Sequence, residues 1–131
     1  MIGLDTNVLV RYMAQDDAIQ SPKATKLIES LAPEAPGFVS QVVLVELVWV
    51  LTRCYDMERT AIAQLLEQLM RTKEIVVESA EVVWHAVRAF RDSGADFADV
   101  LIERIARAAG CGHTITFDGG AAKKTGMRLL K

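Results

Sequence analysis

Cysteine is scarce in this chain. The 2 residues in 131, Cys54 and Cys111, lie far apart, form no C-x-x-C and do not cluster with His85 or His113. That excludes a disulfide framework and a Cys/His zinc site, and it fits a reducing compartment. Proline is scarce as well, with 3 residues, and there is no repeat, low-complexity segment or Pro-rich linker. A single domain spanning 1–131 follows. No apolar run approaches the length of a membrane span. The N-terminus, MIGLDTNVLV, carries an acid at Asp5 instead of a basic stretch, so it does not read as a signal peptide. The expectation is a cytoplasmic protein with no membrane association. A dominant charge is also missing: 15 Lys and Arg stand against 17 Asp and Glu, a net charge of −2. A uniformly basic nucleic-acid binder is thereby excluded. The balance is uneven, however. After Asp118 come Lys123, Lys124, Arg128 and Lys131 and no further acid. Taken alone, those lysines read most simply as a solubilising terminus.

What the chain has in quantity is apolar residues, 51% of the total, enough for a substantial core without cross-links. Met1–Leu4 reads as a short buried strand, Asp5-Thr6-Asn7 as a turn or cap, and Val8–Met13 as the start of a helix. Ser21-Pro22 is a helix-start signal, followed by Ala24, Leu27, Ile28 and Leu31 at helical spacing. Phe38–Ser40 is predicted as a strand and Gln41–Cys54 as a helix. Ile62, Leu65, Leu66, Leu69 and Met70 form an amphipathic stripe. Glu74–Glu78 is predicted as a strand. Ser79 is expected to cap a helix with Val83, Ala86, Val87 and Phe90 inward, closed by Gly94. A helix from Phe97 to Ala109, a strand at His113–Phe117 and a short strand at Arg128–Leu130 complete the pattern. Strands alternating with helices predict an α/β domain with a parallel sheet between helices.

The acids carry the functional signal. In VVLVELVWVL (42–51) nine of ten residues are apolar and the exception is Glu46. Its neighbours one helical turn away are Val42, Val43, Trp49 and Val50, and the nearest helical cation, Arg53, is about 10 Å along the axis. An unpaired buried carboxylate costs several kcal/mol or loses its charge. Glu46 therefore either faces solvent or meets a cation brought by another element. Asp5 and Asp118 each follow a predicted strand, where ligands of open parallel sheets bind. Each is also a natural Asx-turn or cap residue. Asp96 is expected to cap the helix it opens. Asp99, three residues on, is not needed for capping and is the better candidate for chemistry. If Asp5, Glu46, Asp99 and Asp118 meet at one sheet edge, they repel one another unless a cation intervenes. A ligand set made only of oxygens points to Mg²⁺ or Mn²⁺, and such a pocket suits phosphodiester hydrolysis.

Four segments in this order, MIGLDTNVLVRY, SQVVLVELVWVL, GADFADVLIERIARAAGC and HTITFD, resemble PIN-domain ribonucleases, and in particular the VapC-type toxins of bacterial toxin–antitoxin pairs. The resemblance runs nearly the whole length. It implies a roughly five-stranded parallel sheet sandwiched between helices, and Mg²⁺- or Mn²⁺-dependent cleavage of RNA. It also implies a homodimer and a cognate VapB-type antitoxin that covers the active site. Asp5, Glu46, Asp99 and Asp118 match the family's metal-site acids, with Asp96 beside them. Asn7, Ser40 and Thr116 match supporting positions, and Lys123 and Lys124 are candidates for RNA phosphate contacts. Gly119-Gly120-Ala121 departs from the bulkier or charged residues common in relatives. Two other readings remain open from sequence: a catalytically silent PIN-like module that binds RNA or protein, and a phospho-acceptor or aspartyl-phosphatase domain. The second lacks the expected D-x-D start and leaves Glu46 unexplained.

Overall fold

The structure, a computed structural model, describes residues 1–131. Its elements run β1 (Ile2–Gly3), α1 (Thr6–Ala14), α2 (Gln20–Glu29), β2 (Gly37–Val39), α3 (Gln41–Arg53), α4 (Arg59–Arg71) and β3 (Ile75–Val77). They continue with α5 (Ala80–Ser93), α6 (Phe97–Ala108), β4 (Ile115–Thr116), α7 (Gly119–Thr125) and β5 (Arg128–Leu129). The α/β alternation expected from sequence holds. All strand pairs are parallel, with Gly3 opposite Phe38, Phe38 opposite Val76 and Thr116 opposite Leu129.

The five strands do not form one continuous hydrogen-bonded sheet. They form a three-stranded ladder in the order β1-β2-β3 and a separate two-stranded ladder, β4-β5. Asp5 and Asp118 each follow a strand, β1 of the first ladder and β4 of the second. The predicted strand His113–Phe117 shrinks to Ile115–Thr116, because Asp118 turns the backbone into α7.

The core is built mainly by helices. Leu44, Leu47 and Leu51 of α3, Ile62 and Leu66 of α4, and Val83, Ala86, Val87 and Phe90 of α5 are buried with Phe97 and Leu101 of α6. Val39 and Val77 supply the strand side of the same cluster. Phe90 and Phe97 meet edge to face at 5.7 Å between centroids, the arrangement favoured by the ring quadrupoles.

Helix ends explain where the sequence reading slipped. Ser21 does not start α2. The carboxylate of Asp17 accepts hydrogen bonds from Ile19 N (2.9 Å) and Gln20 N (2.6 Å), and the Ser21 hydroxyl accepts one from Asp17 N, so the helix begins a residue before Ser21. These backbone donors, Gln20 first, hold the Asp17 carboxyl below its ordinary value. Ser79 stands at the start of α5 in the left-handed region (φ 50°) and makes no capping bond. Gly94 closes α5 at φ 71°, a conformation that costs a residue with a Cβ. No helix is long and apolar enough to cross a membrane.

Candidate functional site

Two strand-to-helix turns and two helix faces supply the acids. Asp5 ends the turn after β1 and occupies the N-cap position of α1, yet its carboxylate makes no capping bond and is exposed. The next residue, Thr6, is buried (6% exposed) and donates its hydroxyl to Glu46 Oε1 at 2.8 Å. This bond answers the question raised by VVLVELVWVL. Glu46 is solvent-exposed on α3, and what reaches it is a neutral donor from another element instead of a cation. Sequence reasoning missed Thr6. Its only signal was a hydroxyl between two polar residues directly after a strand. Asp5, Thr6, Asn7, Glu46 and Trp49 line one concavity of about 420 Å³. Ser40, expected as a supporting residue, caps α3 by accepting from Val43 N at 3.2 Å. It thereby fixes the helix that carries Glu46.

Asp96, Asp99 and Asp118 line a second concavity, of about 170 Å³, together with Lys124. Asp96 caps α6, as expected, accepting from Ala98 N at 2.7 Å. Asp118 Oδ1 accepts from Gly120 N at 2.8 Å and Ala121 N at 3.1 Å, which leaves Oδ2 uncommitted. Thr116 Oγ1 accepts from Asp118 N at 3.0 Å and so braces the same turn. A Cβ on Gly120 would stand 3.2 Å from Asp118 Oδ1, a tight contact that the glycine avoids. Asp99 accepts no hydrogen bond from the chain and is half-buried. Burial first, then the Asp96 and Asp118 carboxylates, push its pKa above the ordinary 3.8. Three carboxylates around one small space create the excess negative charge that a bound cation relieves.

The four principal acids therefore lie in two groups, Asp5 with Glu46 and Asp99 with Asp118, the second joined by Asp96. No three acidic, histidine or cysteine side chains stand close enough to enclose one metal ion as they lie. The donor chemistry nonetheless suits a hard divalent cation, because the candidate ligands of both spaces are oxygens, the acid carboxylates and the Asn7 amide, with no histidine or cysteine among them. Both histidines are exposed, and neither lines either concavity. Lys124 lines the Asp96/Asp99/Asp118 space, whereas Lys123, on the same short helix, does not.

A PIN domain family model matches residues 2–126. The chain belongs to the PIN domain family. PIN domains are generally nucleases, and they generally use divalent metals. The crystal structure of FitAcB from Neisseria gonorrhoeae aligns with 100% of this chain and 97% of its own, at 18% sequence identity and a TM-score of 0.38. No curated protein matches the chain in sequence.

The PIN chain holds its acids in place with a shell of donors. Around the second group the strongest brace is Arg59, at the start of α4. Its Nη1 donates to the Phe90 carbonyl (2.9 Å) and the Ala95 carbonyl (2.6 Å), and its Nη2 to the Gly94 carbonyl (3.1 Å). Its guanidinium carbon also lies 4.2 Å from the Phe90 ring centroid. Arg59 thus satisfies the orphan carbonyls at the end of α5 and pins the residue just before Asp96. Sequence reasoning missed this residue too, because its partners are backbone oxygens more than thirty positions away.

Proposed function

We infer that this PIN domain is a metal-dependent endoribonuclease that hydrolyses RNA phosphodiester bonds and serves as the toxin of a toxin–antitoxin pair. The observation that carries the reading is the second acid group. Asp99 is raised in pKa by burial and by two neighbouring carboxylates, and it has no donor of its own. Asp99, Asp118 Oδ2, Asp96, Asp5 and Glu46 Oε2 are the oxygens free to hold Mg²⁺ or Mn²⁺. When bound, the metal supplies Lewis acidity at the scissile phosphate and lowers the pKa of the attacking water.

The chain's own residues have separable tasks. Thr6 fixes the rotamer of Glu46 by donating to one carboxylate oxygen, which leaves the other pointing free. The Gly120 and Ala121 backbone N–H groups fix Asp118 by donating to one of its carboxylate oxygens, while Thr116 Oγ1 braces the turn by accepting from the Asp118 N–H. Ser40 and Arg59 fix the helices that carry these acids. Lys124 places an ammonium beside the acid space, within the reach of an RNA phosphate, and Lys123 extends that positive end into solvent. Water attack at phosphorus with cleavage of the P–O3′ bond leaves a 5′-phosphate and a 3′-hydroxyl, the 3′ oxygen taking up a proton. A homodimer, and a VapB-type antitoxin closing the acid face, complete the proposed biological unit.

The test is to replace Asp5 by Asn or Glu46 by Gln and assay RNA cleavage in Mg²⁺ and in Mn²⁺. Both amides are expected to keep the fold and to lose cleavage by at least about a hundredfold. Wild-type cleavage by either variant sinks the assignment. One observation favours the silent-module reading instead: the acids stand in two groups without enclosing an ion. Calorimetric titration with Mn²⁺ separates the two readings, since a silent module gives no heat that depends on Asp99 and Asp118.

A further inference from the structure

We propose that Trp49 and Arg53 of α3 form a subsite for one unpaired RNA base and its phosphate, next to the acids. This rests on the nuclease reading above. Glu46, Trp49 and Arg53 follow one another at i, i+3 and i+7. That spacing places them within about 60° of each other around the helix and about 4.5 and 10 Å apart along its axis. An acid, an aromatic ring and a guanidinium thus stand in a row on one face.

Trp49 is 58% exposed, on a helix that buries Leu44, Leu47, Val48 and Leu51 and leaves Val42 exposed as well. Its indole borders two concavities. One is the space of Asp5 and Glu46. The other, of about 220 Å³, adds Arg53, Arg59, Phe97 and Asp96, the residue that also borders the second acid group. Trp49 therefore borders the Asp5/Glu46 space on one side and a space that reaches Asp96 on the other. Arg53 is exposed and pairs with none of the chain's carboxylates. Arg59, in contrast, is committed to three carbonyls and is not available to a ligand.

A large aromatic face that stays wet, with a free guanidinium one turn further on, is the pairing that single-stranded nucleic acid uses: a base stacks on the ring and a phosphate meets the cation. A duplex buries its base faces in its own stack and cannot use the ring, so the subsite selects unpaired RNA. A protein segment covering the same indole is the competing occupant. The free cation beside the acids favours RNA, because it offers a phosphate its only positive charge on this face of α3.

The test uses full-length protein carrying Trp84→Phe, so that Trp49 is the sole tryptophan, and Asp5→Asn to block cleavage. Short single-stranded oligoadenylate and its duplex with oligouridylate are titrated while indole emission is followed. Quenching by the single strand, little by the duplex, is expected. Measured by calorimetric titration, which needs no indole, Trp49→Ala should weaken single-strand binding about tenfold or more, with Trp49→Phe recovering most of it. Arg53→Gln should lower both affinity and its salt dependence. Unchanged binding by Trp49→Ala, or quenching that follows self-association or added protein and not RNA, overturns the subsite. Quenching by the single strand in a protein whose wild type cuts no RNA keeps the subsite and rejects the nuclease reading.

Discussion

Thr6 and Asp99 show how much of a carboxylate's behaviour is decided by its immediate neighbours. Glu46 has no donor on its own helix and takes one from α1. Replacing Thr6 by Val keeps the shape and removes the donor. RNA cleavage should fall roughly 10- to 100-fold, because the Glu46 carboxylate loses the hydrogen bond that orients it, with little change in the thermal midpoint. Asp99 is the opposite case, a carboxylate with no donor and two like charges nearby. Its raised pKa means that the folded chain binds this proton more tightly than the unfolded chain does. Ionising Asp99 therefore costs stability. The cost is complete above the raised folded value and disappears as pH falls from there to the ordinary 3.8. Asp99→Asn should accordingly raise the thermal midpoint at neutral pH, and the gain should vanish near pH 3.8, as scanning calorimetry across pH will show. The same variant should lose cleavage.

Among the elements, α3 and α6 carry the candidate acids Glu46 and Asp99, and α4 and α5 pack against them. The α3 boundaries were legible because Ser40 is a good cap and the apolar run is long. The apolar face of α5 was equally legible, because Val83, Ala86, Val87 and Phe90 repeat at helical spacing and are all buried. The start of α2 was misplaced because Asp17, three residues before the helix's first residue, competes for the cap. The seven-residue helix α7 was not foreseen at all. Its two opening glycines have poor helix propensity, and only the bracketing Asp118 and Gly126 signalled it. Arg59 is the element-scale hinge of the site. Arg59→Met removes three hydrogen bonds from a charged donor and leaves the α5 carbonyls unpaired. Urea unfolding should show a loss of about 2–3 kcal/mol, with Arg59→Lys recovering only part of it, because an ammonium cannot span three acceptors in a plane.

For the whole molecule, the prediction concerns the acids together. If they hold a divalent cation, folding and metal binding are linked. At about a hundredfold excess over Kd, Mn²⁺ should add about 2.7 kcal/mol and raise the thermal midpoint by roughly 10 °C. The gain should shrink in Asp99→Asn and Asp118→Asn. A midpoint indifferent to Mn²⁺ would count against the metal site as a whole.

The sequence by itself determined the α/β class and the faces of the long helices. These depend on local periodicity, on caps and on residue type, all of which act over a turn or two of chain. Only the tertiary structure decided that the strands pair as three and two, and that the acids stand in two groups. The same holds for the hydroxyl that Thr6 gives to Glu46, the carbonyls that Arg59 takes at the end of α5, and the exposure of Trp49 beside the Asp5/Glu46 space. Each of these joins residues far apart in the chain. Hydrogen bonds and charge repulsion act through space at a few ångströms, and only the packing of the helices brings those residues within range.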